Sequence, residues 1–265
     1  MAVPILKPRS TFRRACILAG GGLVAVLLLS IRPAAAGVMA ESTRVIFPSG
    51  AAERSLQLAN LNAYPVVVQA WVDDGELTSE PENSTAPIIP LPPIFRMNAG
   101  DQLSLRLLHA RAPLPTDRES LFWLNLYEIP PRPLDVPPDS STLTVAIRTQ
   151  MKIIVRPPGL PMAPGEVADK LVFSIRGDAE RPVLQIENPT PYFASIGVIR
   201  CAYAEEAATQ QIEGLTIAPY GSADTPLQPP AHAQGEAAAI VFTLINDEGT
   251  ALAHARAIKP GPGTR

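Results

Sequence analysis

Residues 141–157, STLTVAIRTQMKIIVRP, carry the pattern that decides the fold of this chain. Apolar and polar side chains alternate along the stretch, which is the period of a β-strand with two different faces. The apolar positions are Leu143, Val145, Ile147, Met151, Ile153 and Val155, and the polar ones are Thr142, Thr144, Arg148, Gln150, Lys152 and Arg156. Such a strand would run roughly 45 Å at ~3.3 Å per residue, whereas strands in ordinary sandwiches have about 5–6 residues. The pattern therefore predicts either a bent core strand or a strand that offers part of its apolar face to a partner.

The first 36 residues have the composition of a secretory signal. A basic segment with Lys7, Arg9, Arg13 and Arg14 precedes an apolar run over residues 16–31, and Ala34-Ala35-Ala36 follows as a small-residue cleavage site. The apolar run is shorter than the ~20 residues that a transmembrane helix needs. We therefore predict that residues 1–36 are cleaved, with cleavage after Ala40 as the alternative, and that the exported chain has no membrane anchor.

Charge and cysteine content narrow the function classes of the exported chain. Without the five cations of residues 1–36 it holds 17 Lys and Arg against 25 Asp and Glu, a net charge of −8. A chain this acidic is a poor candidate for binding nucleic acid or an anionic membrane. Cys201 is the one cysteine after residue 36, so an internal disulfide is excluded, and the pattern favours a buried thiol.

Length and proline content predict an all-β chain of two domains. About 230 residues suit two domains of about 110–120 better than one. The 30 prolines fall between short alternating runs, which excludes long helices. Strands are predicted at residues 43–47, 55–60, 65–71, 101–108, 121–129 and 141–157, and then at 170–176, 183–187, 195–203, 211–217, 237–245 and 251–257. Residues 73–93 are predicted to be irregular. The pattern indicates two β-sandwiches, 37–158 and 159–265, joined by a proline-rich connector.

The sequence offers little support for an enzyme. His109, His232 and His254 are isolated, and neither a metal-ligand spacing nor a nucleophile motif occurs. The acidic pair Asp73-Asp74 is interpreted as part of a loop. We predict no catalytic activity, no metal and no cofactor, which leaves an interaction protein.

Residues 114–131, LPTDRESLFWLNLYEIPP, resemble the signature of the periplasmic chaperones of the chaperone–usher pilus pathway. The matching positions are Asp117-Arg118-Glu119-Ser120, Asn125 and Ile129-Pro130-Pro131. Further similar segments lie at residues 43–47, 92–96, 156–157, 188–192 and 246–249. The resemblance implies two immunoglobulin-like domains in a boomerang arrangement. It also implies a periplasmic protein that binds, folds and caps pilus subunits and passes them to an outer-membrane usher.

The resemblance also assigns roles to individual residues. Leu143, Val145 and Ile147 would be donated to the open groove of an incomplete subunit, which is donor-strand complementation. Arg44 and Lys152 would hold the carboxylate at the C-terminus of the subunit. Glu119, Arg156 and Asp247 would form a charged cluster that sets the angle between the domains.

Two features limit how far the resemblance extends. The disulfide that some family members carry in the second domain is excluded here. The segment 132–141 is short and proline-rich, which favours the short-loop class of these chaperones. The resemblance also leaves open a self-capping dimer, in which the partner is a second copy of the chain.

The alternative function is that of an exported immunoglobulin-like structural subunit or adhesin. For such a protein, a free N-terminal donor extension and one incomplete domain would be expected.

Overall fold

The computed structural model describes residues 37–76, 78–110, 112–132, 143–177, 181–203, 211–227 and 237–258. The predicted signal, residues 133–141 of the predicted short segment 132–141, and the last seven residues therefore lie outside the described part of the chain. Within that part the chain is a succession of strands, with one short helix, α1 (Val167–Lys170), and turns of 3-10 helix at Pro81–Asn83 and Pro164–Glu166. No helix in the described ranges is long and apolar enough to cross a membrane.

The first β-sandwich is built from the strands before the connector. They are β1 (Val38–Ala40), β2 (Arg44–Pro48), β3 (Glu53–Asn60), β4 (Val66–Asp73), β5 (Ile88–Leu91), β6 (Ile94–Met97), β7 (Gln102–His109), β8 (Ser120–Ile129) and β9 (Ile147–Arg156). One sheet has the order β1-β3-β7-β5, and the other has the order β2-β9-β8-β4-β6. Alternate apolar residues of both sheets meet in one core, which includes Phe47, Leu56, Leu58, Met97, Leu105, Leu107, Leu124 and Ile153.

The second β-sandwich has its own core. Its strands are β10 (Val172–Arg176), β11 (Val183–Glu187), β12 (Ala194–Tyr203), β13 (Gln211–Ile217), β14 (Ser222–Pro226), β15 (Ala237–Ile245) and β16 (Ala251–Ala257). They form a sheet with the order β10-β11-β14 and a sheet with the order β13-β12-β15-β16. The rings of Phe173 and Phe242 pack 5.0 Å apart at its centre. Aromatic and aliphatic packing therefore fills this core.

Each sandwich contains a buried asparagine whose side-chain amide donates hydrogen bonds to backbone carbonyl oxygens of neighbouring segments. Asn60 Nδ2 donates to the carbonyl oxygens of Tyr64, Met97 and Asn98. Asn188 Nδ2 donates in the same way to three carbonyl oxygens of the second sandwich, at Tyr192, Ile217 and Ala218. Buried backbone carbonyl groups without a hydrogen-bond donor would lower the stability of the fold, so these two amides stabilise the segments that they join.

The all-β class and the two-sandwich architecture are confirmed, but the molecule has several strands beyond those predicted. Strands β1 and β14 were not predicted, and β5 and β6 fall in or beside the segment 73–93 that was predicted to be irregular. Strands β1, β5 and β6 have only three or four residues, too few for alternation to stand out. The sheet pairing defines them instead, because β5 lies against β7 and β6 lies against β4.

The predicted long strand is shorter than its pattern suggested. Regular pairing begins at Ile147, and residues 143–146 are described without strand structure. The reason lies in the neighbouring strand β8, because Ile147 pairs with Glu128 and β8 ends one residue later, before Pro130 and Pro131. Proline has no backbone N–H to offer a ladder, so residues 143–146 have no partner strand there.

Candidate functional site

The start of β9 exposes an apolar stripe that the rest of the strand buries. Met151, Ile153 and Val155 lie in the core of the first sandwich. Residues of the same parity before them stand in solvent, with exposed fractions of 86% for Leu143, 61% for Val145 and 46% for Ile147. A contiguous stripe of exposed aliphatic side chains is typical of a surface that binds a partner.

The backbone beside this stripe is also open. Strand β8 pairs with one edge of β9 over residues 147–155. On the other edge β2 runs parallel to β9, but its pairing starts only at Arg44 opposite Lys152. Within the described chain, residues 147–151 therefore keep one edge without a neighbouring strand. An open edge next to exposed apolar side chains can accept a strand from another molecule.

Arg44 and Lys152 are brought together at the point where β2 joins β9. The two residues are direct neighbours in the parallel ladder. Both side chains reach the second sandwich: Arg44 Nη1 donates to the carbonyl oxygen of Ile245 at 3.2 Å, and Lys152 Nζ donates to Ser195 Oγ at 2.9 Å and Thr216 Oγ1 at 2.5 Å. Two cations from adjacent strands thus converge on the junction of the two sandwiches.

The charges of this cation pair are poorly compensated. Among the described residues, no carboxylate lies within 4.0 Å of Arg44 or Lys152, and the buried Nε of Arg44 has no hydrogen-bond partner. Burial and, to a smaller extent, the nearby Arg44 charge together lower the pKa of Lys152 to about 8. Burial also lowers the pKa of Arg44, and the charges of Asp247 and Glu119 offset only part of this effect. The Trp123 ring lies 5.5 Å from Lys152 Nζ. Two partly desolvated cations with spare donors form a site that favours an anion.

The three residues of the predicted charged cluster form one network across the junction. Arg156 Nε donates to Glu119 Oε1 at 2.7 Å, and its two terminal nitrogens donate to the Asp247 carboxylate at 2.6 and 2.7 Å. Glu119 uses its other oxygen to accept the backbone N–H of Phe193 at 2.7 Å. The guanidinium also lies over the ring of Tyr192, 5.2 Å from its centre. Arg156 thus connects the first sandwich to two segments of the second.

Burial and hydrogen bonding shift the pKa values of Glu119 and Arg156 in opposite directions. Burial raises the pKa of Glu119, and the bonds from Phe193 and Arg156 oppose that effect. For Arg156, burial disfavours the charge, but the bonds to Asp247 and Glu119 outweigh it and raise the pKa. The cluster is stable as a charged unit only while its members remain together.

A turn of the second sandwich completes the junction, and its sequence predicted a role there only for Asp247. Residues 246–249 connect β15 to β16 and carry Asp247. Gly249 has a φ of +82°, and a Cβ at this position would collide with the hydroxyl of Thr43, the residue before Arg44. Only glycine allows the turn to approach β2 this closely.

Two buried acidic residues were not recognised from the sequence. Asp73 was interpreted as part of a loop, but it ends β4 and is buried. Its carboxylate accepts bonds from Trp71, Asn125 and Arg148, so its role there is structural. Glu128 follows the core parity of β8 and is also buried. A carboxylate at a core position was the signal that could have identified it.

Two family comparisons cover most of the described chain. Residues 37–161 match the family described as Pili and flagellar-assembly chaperone, PapD N-terminal domain. Residues 166–255 match the family described as Pili assembly chaperone PapD, C-terminal domain. The chain belongs to the pilus-assembly chaperone family. These matches favour the chaperone over the structural-subunit or adhesin alternative.

Curated relatives of this chaperone agree with the family matches. The chain is 35% identical to Chaperone protein FimB/FhaD of Bordetella pertussis over 181 residues, which are 66% of this chain and 72% of the relative. It is 30% identical to Chaperone protein FimC of Escherichia coli K12 over 236 residues, which are 88% of this chain and 89% of the relative. The similarity to FimC therefore extends over nearly the whole of both proteins.

Solved structures give the same result for the fold. The CupB2 chaperone of Pseudomonas aeruginosa superposes with a TM-score of 0.69 at 32% identity, over 83% of this chain and 100% of that chain. The SafB chaperone of Salmonella enterica, solved in complex with SafA pilin, gives a TM-score of 0.67 at 26% identity, over 85% and 98%. The family role is that of a chaperone, which is not a catalytic role.

Proposed function

We propose that this chaperone works in the periplasm, where it captures pilus subunits by donor-strand complementation and delivers them to an outer-membrane usher. The observation that carries the proposal is the change of exposure along β9, from the buried Met151, Ile153 and Val155 to the exposed Leu143, Val145 and Ile147. The alternate apolar side chains of one strand are thus buried in a core at one end and exposed to solvent at the other. Such a strand is suited to completing a second sandwich.

The physical role of the donated strand follows from its two kinds of contact. The open edge at residues 147–151 can form main-chain hydrogen bonds with a subunit strand, and the alternate side chains can fill an apolar groove. Burial of an aliphatic side chain contributes ~1.5–3 kcal/mol before ordering costs. Three such side chains in one groove would favour capture over aggregation of the bare subunit.

The cation pair would fix the register of that strand. In our proposal Arg44 and Lys152 bind the C-terminal carboxylate of the subunit, the one anion that every subunit carries at a defined end. With that end held at the junction, the side chains at 143, 145 and 147 meet fixed positions of the groove. A strand shifted by one residue would turn every side chain to the wrong face.

The network of Glu119, Arg156 and Asp247 would support this site from behind. Lys152 and Arg44 donate to atoms of the second sandwich, so their positions depend on how the two sandwiches meet. We propose that the network fixes the arrangement of the two sandwiches while no subunit is bound to Arg44 and Lys152. In this proposal the network itself does not contact the subunit.

The comparisons support the partner in general terms. SafB was solved with a pilin, SafA. The N-terminal segment 1–36, with its basic and apolar parts, supports export to the periplasm. Delivery to an usher rests on membership of the family, and the self-capping dimer and the short-loop class remain predictions.

Val145→Asp tests the donated strand directly. Because Val145 faces water in the free chaperone, the mutant is expected to keep its melting temperature, whereas a charge entering the apolar groove of a subunit should prevent capture. Thermal melting and co-purification with a co-expressed pilus subunit measure the two effects on one protein. The matched control is Val155→Asp, the same change at a buried position of the same strand, which is expected to unfold the first sandwich.

The two measurements separate the alternatives. If Val145→Asp unfolds the chaperone, residues 143–147 belong to its own core and the donor assignment is wrong. If it folds and still captures subunits, capture does not use Val145.

Capture is also expected to depend on pH through Lys152. A bound carboxylate favours the protonated lysine, and the pKa of the free residue is about 8, so the affinity should be constant below pH 7 and fall as the pH rises through 8. The fall can reach about tenfold per pH unit, until the pKa of the bound state is passed. Binding isotherms with a purified pilus subunit between pH 6.5 and 9.5 measure it.

Lys152→Arg is the control for this pH dependence, because arginine stays charged over the whole range. The groups that face Lys152 are Arg44, the hydroxyls of Ser195 and Thr216, and Trp123, so lysine is the group expected to titrate near pH 8. An equally steep fall in the arginine variant would assign the titration to a different residue.

A further inference from the structure

Glu128 stands out because it places a carboxylate on the core face of a strand. Along β8 the buried residues Phe122, Leu124 and Leu126 share its parity, and Glu128 itself is only 6% exposed. Among the described residues, no Lys or Arg nitrogen lies within 4.0 Å of its oxygens. A buried carboxylate normally has a cationic partner or several strong donors, so the groups around it identify what it is for.

Those groups are Asn62 and the main chain of the first residues that the structure describes. Glu128 Oε2 accepts the backbone N–H of Val38 at 2.7 Å, and Oε1 accepts Asn62 Nδ2 at 2.7 Å. Asn62 Oδ1 in turn accepts the backbone N–H of Gly37 at 2.9 Å. The carbonyl oxygen of Gly37 accepts the N–H of Leu61 at 3.0 Å. Gly37 is itself buried, and a Cβ on it would lie 3.6 Å from Glu128 Oε2, so the carboxylate is close to the Gly37 main chain.

We propose that Glu128 and Asn62 form a receptor for a new N-terminus at Gly37. A signal peptidase would hydrolyse the bond between Ala36 and Gly37, with one water giving a carboxylate on Ala36 and, after protonation, an ammonium group on Gly37. That ammonium group has three donors where the peptide nitrogen had one. It supplies the positive charge that the buried carboxylate otherwise lacks, and Asn62 holds it in place.

The same contacts decide between the two cleavage positions that the sequence left open. Cleavage after Ala40 would remove strand β1, its pairing with residues 58–60 of β3, and the core side chain of Val38. It would also remove the backbone N–H of Val38, which donates to Glu128, and that of Gly37, which donates to Asn62. Cleavage after Ala36 keeps all of these contacts and adds a charge beside Glu128.

The first test is the N-terminus of the exported protein, measured by intact mass and N-terminal sequencing. The proposal requires a chain that begins at Gly37. A chain that begins at Glu41 or at any other residue overturns it.

The second test is the pKa of the amino group of Gly37 in that exported chain, followed by NMR with labelled glycine. An unperturbed α-amino group titrates at about 7.7–8.0, and an opposite charge within ~4–6 Å shifts a pKa by about 1–3 units. We expect a raised pKa in the native chain and a return toward the ordinary range in Glu128→Gln. Glu41→Gln is the matched control, because Glu41 is exposed and its carboxylate accepts the N–H of Gln57, and it should leave the pKa raised.

The native chain decides the question even where Glu128→Gln fails to fold. An ordinary or lowered pKa of its amino group overturns the pairing with Glu128. A direct titration is needed because thermal melts would mix two groups. A raised α-amino pKa loses stability as the pH rises through it, while the lowered pKa of Lys152 acts in the opposite direction. Neither readout involves a pilus subunit, so the inference and the proposed function can fail separately.

Discussion

Arg44→Ala and Lys152→Ala are each expected to abolish stable capture of pilus subunits while the free chaperone remains folded. A charge-assisted hydrogen bond contributes ~1.5–3 kcal/mol, so the loss of one anchor residue should weaken binding by about 10- to 150-fold. The loss of register adds to this, because an unanchored strand can present its side chains in the wrong alignment. Co-purification with a co-expressed subunit and a titration with the purified partners measure the effect.

The fold should tolerate these changes for a physical reason. Burial lowers the pKa of both residues, which means that their surroundings disfavour the positive charges. Removing one of them therefore removes a cost as well as a contact. Arg96→Ala is the matched control, since Arg96 is an exposed cation on the same five-stranded sheet and lies far along the strand order from β2. Normal capture by a folded Arg44→Ala, Lys152→Ala double mutant would contradict the anchor assignment.

Arg156→Ala is expected to give a large loss of stability. Among the described residues, the change leaves Glu119, which is 3% exposed, with only the N–H of Phe193, and it removes both bonds to Asp247. Breaking a buried ion pair by removing one partner costs ~3–5 kcal/mol, and the partial exposure of Asp247 reduces this to about 2–4 kcal/mol. For a chain of this size, that is a fall in melting temperature of about 4–16 °C.

Arg106→Ala gives the comparison for this experiment. Arg106 also forms an ion pair, with Glu53, but both side chains are about half exposed. Exposed pairs contribute little, so its melting temperature should change by at most about 4 °C. Calorimetry of the two variants measures both values. Equal small shifts would mean that the Arg156 network is effectively solvated and does not fix the junction.

Most of the architecture could be read from the alternation of apolar residues. Apart from the start of Ile147–Arg156, the strands with seven or more residues were predicted nearly to their ends, because alternation over that length is hard to produce by chance. Signature residues also identified the family, and the comparisons confirm it. Some short strands, such as Val38–Ala40 and Ser222–Pro226, were missed because their pairing, not their own pattern, defines them.

The sequence by itself determined that residues 143–155 would carry one apolar face, but it did not determine which part of that face is buried. The tertiary structure decides this, because β8 ends at Ile129 and, within the described chain, residues 143–146 have no neighbouring strand. The same holds for the polar residues. Arg44 and Lys152 are 108 positions apart, and only the parallel pairing of β2 with β9 makes them neighbours. Glu128 shows the physical reason. Periodicity in the sequence predicts the face of the strand on which a side chain lies, but packing between distant segments determines which groups that side chain contacts.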